Sequence, residues 1–186
     1  AAHWKFVVSF ISLAPQTAKV IARTSDIVRR RAQPLDTMAT EDERLDFAYR
    51  YWRGKRKDSL LPARRDIDVL DLRPIIGAAH LIDVTAADPI DYRFRVYGSK
   101  VRMDRFQNYT NHRLGDHGSE TYRTAIAEDY LAVVSTGVPS YQNIIAMIDH
   151  VKYSYSRLIL PLADDGRHVN MLLVCINDRR FDDFAL

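Results

Sequence analysis

Apolar residues alternate most clearly in residues 153–176, which predict two core strands joined by a turn. Near the end of the first strand both faces are apolar, so we expect this strand to lie inside a sheet. One face carries Leu158, Leu160 and Leu162, and the other carries Tyr155, Ile159 and Pro161. Asp164, Asp165 and Gly166 then predict a hairpin turn, because Asp and Gly tolerate the backbone conformation that a tight turn requires.

Weaker patterns predict the remaining elements. Thr40 and Glu43 have the spacing of a capping box and predict a helix over residues 40–53. Alternation predicts strands over residues 78–85, 92–97 and 139–148, and a helical period predicts a short helix near residues 101–106. Ser119 and Gly137 delimit a longer helix. Together these elements predict an α+β domain, with helices on one face of a five-stranded antiparallel sheet.

Residues 1–37 differ from the rest of the chain and predict a basic N-terminal extension before a domain over residues 38–186. Apolar residues share a helical stripe there, at Val20, Ile21, Thr24, Ile27 and Val28. Two interpretations stay open: a helix that packs on the domain or on a dimer partner, and an extension with no selected role. Met38 is a plausible natural start, so we expect a chain beginning there to fold with nearly full stability.

Charge and composition exclude several classes of protein. The net charge is +3 with an isoelectric point near 9.0, but residues 1–37 alone carry six basic and two acidic side chains, so the rest is nearly neutral. We therefore expect no nucleic-acid binding, unless Arg29, Arg30 and Arg31 form a basic patch. No apolar run approaches the roughly 20 residues of a membrane helix, and the single Cys175 suits a reducing cytoplasm.

Several phrases of the sequence occur in an order that carries a family resemblance. They are YWRG at 51–54, LLPARRDIDVLDLRP at 60–74, HLIDV at 80–84, YRFRVYGSKV at 92–101, TNHRLGD at 110–116, TGVP at 136–139 and RLILPLADDGRHVNMLL at 157–173. In this order they resemble the PAS superfamily, and more narrowly the small bacterial PAS family best known from alphaproteobacteria. The resemblance spans roughly residues 40–179 and implies a stand-alone sensory and signalling module without an attached output domain.

A search for reactive groups favours binding over catalysis. No nucleophile lies in a recognisable pattern beside a base, and no P-loop is present, so we predict no enzyme activity. The alternative is a small-molecule enzyme that uses the same cavity. The loop residues His112 and His117 are expected at the surface rather than on a metal, although either of them, or His80, has the imidazole that an axial haem ligand requires. The cofactor is left open, and Cys175 is misplaced for covalent flavin chemistry.

The predicted ligand site lies between the inner face of the sheet and residues 97–130. Its candidate side chains offer hydroxyl, imidazole or guanidinium groups: Tyr97, Tyr109, His112, Tyr141, Tyr155 and Arg157. Arg157 lies on an apolar strand, where it would either bind a carboxylate or phosphate or be an edge arginine paired with Asp or Glu. The competing interpretation of the aromatic residues is that they complete a solid core.

The helix predicted over residues 40–53 carries more apolar side chains than one packing face can bury. Leu45, Tyr49 and Trp52 form one stripe, while Phe47 and Tyr51 emerge elsewhere. We therefore expect a homodimer that forms through this helix. A signalling protein is a further expected partner, together with a small-molecule ligand whose identity the sequence does not provide.

Overall fold

In the described part of the chain, six antiparallel strands form one sheet, and the two longer of three α-helices pack against it. The computed structural model describes residues 26–58, 60–68, 70–85, 90–101, 108–148 and 150–178. The strands are β1 (Ile27–Gln33), β2 (Ala79–Thr85), β3 (Asp91–Val96), β4 (Ser140–Ile148), β5 (Val151–Leu162) and β6 (Met171–Asp178). The helices are α1 (Met38–Glu41), α2 (Glu43–Gly54) and α3 (Glu120–Thr136). The strand order across the sheet is β1-β4-β5-β6-β2-β3.

The two strands of the central hairpin form as their alternation predicted, but residues 163–170 join them, a longer connection than the tight turn expected at Asp164, Asp165 and Gly166. β5 pairs with β6 in a register that sets Leu160 opposite Leu173, and every residue of β5 from Tyr155 onward is buried. Gly166 closes the turn with φ of +77°, a left-handed conformation that glycine adopts without steric cost. Since β5 has a paired strand on each side, its position inside the sheet is confirmed.

The sheet has six strands, not five, because residues predicted to be helical form β1. Ile27 and Val28 belong to a strand that pairs antiparallel with β4 and sets Arg30 opposite Ile144. Alternation along β1 separates Arg30 from Arg29 and Arg31, so the three arginines do not form one patch. The other residues of the predicted stripe lie outside the described part of the chain, as does most of the short helix predicted near residues 101–106.

Helices cover both faces of the sheet, and the prediction that they gather on one face is wrong. On one face α3 packs Ile126 and Val133 into a core cluster with Ile144 and Ile159. On the other face α2 packs Leu45, Ala48 and Trp52 against Leu158 and Leu160. A strand that is apolar on both sides requires cover on both sides, so the pattern of β5 already implied this arrangement.

The ends of the helices show which local signals were correct. The N-cap of α2 is Asp42 rather than Thr40, and its carboxylate accepts the Leu45 N–H at 3.2 Å. α3 begins as predicted, with the Ser119 hydroxyl accepting the Tyr122 N–H, and ends at Gly137 in the left-handed conformation. Among the described residues, no helix has both the length and the apolar character needed to cross a membrane.

Candidate functional site

A layer of aromatic side chains lies between α3, the loop that precedes it, and the sheet. Tyr97, at the end of β3, lies 5.5 Å from the Tyr109 ring, and Tyr109 stacks on His117 at 5.5 Å. His117 in turn lies 4.6 Å from Tyr122, the first buried aromatic residue of α3. The Tyr122 hydroxyl meets the Tyr155 hydroxyl of β5 at 3.1 Å. The layer thus joins the rim of the sheet to its centre.

Arg157 carries the charge at the centre of this layer. It lies two residues after Tyr155 on β5, so both side chains point toward α3. Its exposed fraction is 1%, and its Nη2 donates to the Asp129 carboxylate of α3 and to Gln142 Oε1 of β4, the latter at 2.6 Å. Gln142 Nε2 donates to Asp129 Oδ1 at 2.9 Å. The guanidinium is therefore buried, paired and held between three elements.

A second arginine, Arg30 of β1, shares the same carboxylate. Its Nη1 donates to Asp129 Oδ1 at 2.9 Å and to the Ala125 carbonyl at 2.6 Å. Its Nη2 donates to Glu128 at 2.8 Å, but the Glu128 side chain is 61% exposed. Two guanidiniums thus converge on one buried carboxylate. Arg30, Arg157 and Asp129 together carry one surplus positive charge, and Arg30, which is partly exposed, also pairs with the exposed Glu128.

The free donor of Arg157 and the adjacent tyrosines define what the site can bind. Arg157 Nε is buried and has no hydrogen-bond partner among the described residues, and the guanidinium carbon lies 5.8 Å from the centre of the Tyr130 ring. Burial opposes the charge of Arg157, but attraction to Tyr155 and Asp129 outweighs it and raises the Arg157 pKa. Burial also raises the pKa of Tyr155 and of Tyr122, so both hydroxyls stay protonated and able to donate.

His80 of β2 lies at the other end of the aromatic layer and is neutral. Burial, followed by repulsion from Arg157, lowers its pKa to about 3. Its Nδ1 accepts the Gly98 N–H at 3.1 Å, and its ring lies 4.2 Å from Tyr97. Below its lowered pKa the imidazole would be charged, but near neutral pH it is not, so it does not add to the positive charge of the site.

The structure brings together four of the six predicted site residues. Tyr97, Tyr109, Tyr155 and Arg157 contribute to the layer under α3. Tyr141 packs instead in the core on the α2 face.

His112 lies at the rim of the site, half exposed, 3.7 Å from the Asp116 carboxylate and with its ring edge toward Tyr109. His117 was expected at the surface with His112, but it is buried between Tyr109 and Tyr122. Its Nδ1 accepts the Ser119 N–H, which gives one ring nitrogen of this buried imidazole a partner.

Sequence reasoning missed Asp129, Gln142 and Arg30, although two of them carried a signal. Asp129 lies three residues after Ile126 and four before Val133, which places a carboxylate on the apolar stripe of α3. Gln142 shares a strand face with Ile144 and Ala146. A polar group inside an apolar period predicts a buried partner. Arg30 had no such signal, because β1 was not recognised as a strand.

Metal and thiol chemistry receive little support from the described residues. No group of three or more His, Cys, Asp or Glu side chains in the described ranges could hold a metal ion. Burial raises the pKa of the Cys175 thiol to about 12, so the thiolate that a nucleophile requires is scarce near neutral pH.

Comparison with known proteins adds no relative to this description. The chain matches no family model, no curated protein and no solved structure. The fold therefore defines the class directly. It is an α+β protein with an open six-stranded antiparallel sheet, covered by helices on both faces.

Proposed function

We propose that this protein is a PAS-type sensory module that binds a small anionic ligand under α3 and signals by non-covalent contact with a protein partner. The observation that carries the proposal is the state of Arg157. It is fully buried on a central strand, and its Nε has no described partner. A buried guanidinium with an unused donor is costly to keep in a core that serves packing alone.

The arrangement of the elements supports the PAS-type part of the proposal. Without β1, the sheet consists of two leading strands, a crossover that includes α3, and three trailing strands. The sequence phrases that carry the resemblance coincide with these strands: HLIDV lies in β2, and RLILPLADDGRHVNMLL spans most of the β5–β6 hairpin. β1 is an addition to the five-stranded unit that the resemblance implies.

The balance of charge supports an anionic ligand. Arg30 and Arg157 share one buried carboxylate, and Glu128, the second carboxylate that pairs with Arg30, reaches solvent. A small carboxylate or phosphate near Arg157 Nε would offset the surplus charge and accept a strong charge-assisted hydrogen bond. Tyr122 and Tyr155 add hydroxyl groups that stay neutral at physiological pH.

The described side chains favour binding over an enzymatic role. His80 is buried, and its Nδ1 lone pair is already used by Gly98, so this imidazole is poorly placed to act as a general base. The thiol of Cys175 is buried and protonated. We therefore retain the prediction that the protein is not an enzyme. We also retain the prediction that it works in the cytoplasm as a sensor.

The proposed partner surface lies on the outer side of α2. Leu45, Ala48 and Trp52 are buried against the sheet, whereas Phe47 is 36% exposed and stacks with Tyr51 at 6.5 Å. Exposed aromatic pairs are enriched at protein interfaces. We expect Phe47→Ser to shift a homodimer toward monomer in analytical ultracentrifugation. A wild-type protein that stays monomeric at tens of micromolar, a rough range for weak association, would remove this surface from the proposal.

Native mass spectrometry tests the ligand site directly. The protein is purified without denaturation, and any bound small molecule is measured as a mass difference, which would also reveal haem. Arg157→Lys keeps the charge but loses the fork of donors, and Tyr155→Phe removes one hydroxyl. Both should lower ligand occupancy, or the thermal stabilisation produced by a panel of small carboxylates and phosphates.

Tyr141→Phe is the matched control, because Tyr141 lies on the opposite face of the sheet. It should leave ligand binding unchanged. A wild-type protein that carries nothing and gains no thermal stability from any member of the panel would contradict the proposal.

A further inference from the structure

A cavity lies at the end of the sheet that carries β2 and β3, and Arg157 is not among the residues that line it. It has a volume of about 230 Å³ and lies between the segment at residues 64–77 and the strands β2 and β3. Its walls are mostly apolar and include Ile67, Leu72, Ile76, Leu81 and Leu173.

Close backbone contacts form one side of this cavity. The Lys100 N–H donates to the Gly77 carbonyl at 2.7 Å. A Cβ on Gly98 would come within 2.5 Å of that same carbonyl oxygen, so only glycine allows the two segments to approach this closely. Gly77 itself has φ of +85°. This side of the cavity is thus fixed by tightly packed backbone rather than by movable side chains.

Among the described residues that line the cavity, Arg64 is the only charged one. Its Nη1 donates to the Ile67 carbonyl at 2.8 Å, which holds the guanidinium against the cavity wall. None of the described carboxylates forms an ion pair with it. A held guanidinium beside an apolar cavity is a suitable counter-ion for a ligand that carries one negative charge.

We propose that this cavity binds a small carboxylate with a compact apolar body, such as an aromatic or short branched acid. Its volume decides the class of ligand: a buried apolar cavity of about 150 Å³ holds benzene, and sites for drug-sized molecules begin near about 300 Å³. A single ring with one carboxylate therefore fits, whereas a flavin or a haem does not. The apolar body contacts Leu81 and Leu173, and the carboxylate faces Arg64.

This second site also adjoins the aromatic layer under α3. His80 and Tyr97 line the cavity, and the same two side chains begin the layer that leads toward Arg157. A ligand in the cavity therefore contacts residues of both sites. The inference does not depend on the proposed function, because its cation is Arg64 rather than Arg157 and Arg157 does not line the cavity.

Benzoate is the probe, and benzyl alcohol is its uncharged counterpart of nearly the same shape. Titration of the full chain, followed by amide chemical shifts, should show saturable binding of benzoate at about millimolar concentration, as expected for so few atoms. Arg64→Gln should weaken benzoate binding about tenfold and leave benzyl alcohol unchanged. Arg65→Gln is the matched control, because Arg65 is exposed and donates to the Asp164 carbonyl on another side of the segment.

Two further measurements locate the ligand. Ala79→Leu places a larger side chain in the cavity and should abolish binding of both probes. The shifts that benzoate produces should concentrate at Ile76, Leu81 and Leu173. Should Ala79→Leu fail to fold, the comparison of Arg64→Gln with Arg65→Gln still decides the matter.

Three results would overturn the inference: no saturable binding, equal weakening by both arginine variants, or shifts confined to α3 and β5. The last result would move the ligand to the Arg157 site and support the proposed function instead. Conversely, benzoate binding that depends on Arg64 while Arg157→Lys binds equally well would establish the second site alone.

Discussion

The buried ion pair between Arg157 and Asp129 allows the sharpest prediction. The two side chains link β5 to α3, and neither has ready access to solvent. We consider Arg157→Met, Asp129→Leu and the double variant, which replace the charged groups by apolar side chains. Each single variant leaves the other charged side chain in the core without this partner, whereas the double variant leaves neither. The cost of the double variant in free energy of unfolding should therefore not be the sum of the two single costs.

The contacts predict which single variant costs more. Removing one partner of a buried pair costs about 3–5 kcal/mol. After Arg157→Met, Asp129 still accepts from Arg30 and from Gln142, each at 2.9 Å, so we expect the low end, about 3 kcal/mol. After Asp129→Leu, the guanidinium of Arg157 keeps only Gln142 Oε1, so we expect the high end, about 5 kcal/mol.

Urea unfolding at pH 7, followed by circular dichroism, measures these costs as differences in the free energy of unfolding. The double variant should be more stable than Asp129→Leu alone, because no unpaired guanidinium remains in the core. Arg93→Met is the control: Arg93 pairs with Asp83 while half exposed, so its loss should cost under about 1 kcal/mol. The reasoning fails if the single costs add within about 0.5 kcal/mol in the double variant.

Three more predictions follow from β1, His80 and Cys175. A chain that begins at Met38 lacks β1 and the Arg30 contacts, and it exposes the edge of β4. Its free energy of unfolding should therefore be at least about 2 kcal/mol lower than that of a chain beginning at Asp26. Equal melting temperatures would instead support the expectation, drawn from the sequence, that residues 1–37 are dispensable for stability. The pKa of His80 is about 3 in the folded protein and 6.5 in the unfolded chain. The free energy of unfolding should therefore decrease by up to about 1.4 kcal/mol for each pH unit below pH 6.5. His80→Gln should flatten this slope, as measured by urea unfolding at pH 7, 6 and 5. Cys175 should resist iodoacetamide at pH 8 in the folded protein and react once urea unfolds it; rapid labelling of the folded protein would contradict its burial.

Local signals explain why the central hairpin and α3 were predictable. Leu158, Leu160 and Leu162 repeat at the period of a strand, and Gly166 occupies the turn that its backbone freedom suits. Ser119 and Gly137 can be recognised as helix caps from the adjacent sequence, because a capping residue forms its hydrogen bond within one helical turn. These features depend on a few adjacent residues, which the sequence presents together.

The elements that the sequence did not reveal depend on distant partners. β1 becomes a strand by pairing with β4, more than 100 residues further along the chain, and its arginines obscure any apolar alternation. The position of Tyr141 also depends on a distant partner. Alternation tells which residues of β4 share a face, but the register that sets Tyr141 opposite Leu158 decides that this face meets α2.

The position of Asp129 has a consequence for how the site and the edge of the sheet interact. Its carboxylate accepts from Arg30 of β1, Gln142 of β4 and Arg157 of β5, so three strands depend on one residue of α3. Hydrogen bonds to a shared acceptor are not energetically independent. Any change at Arg157 therefore alters how strongly Asp129 attracts Arg30, and with it the anchoring of β1. Since β1 is an edge strand bonded only to β4, it is the described strand whose attachment such a change affects most.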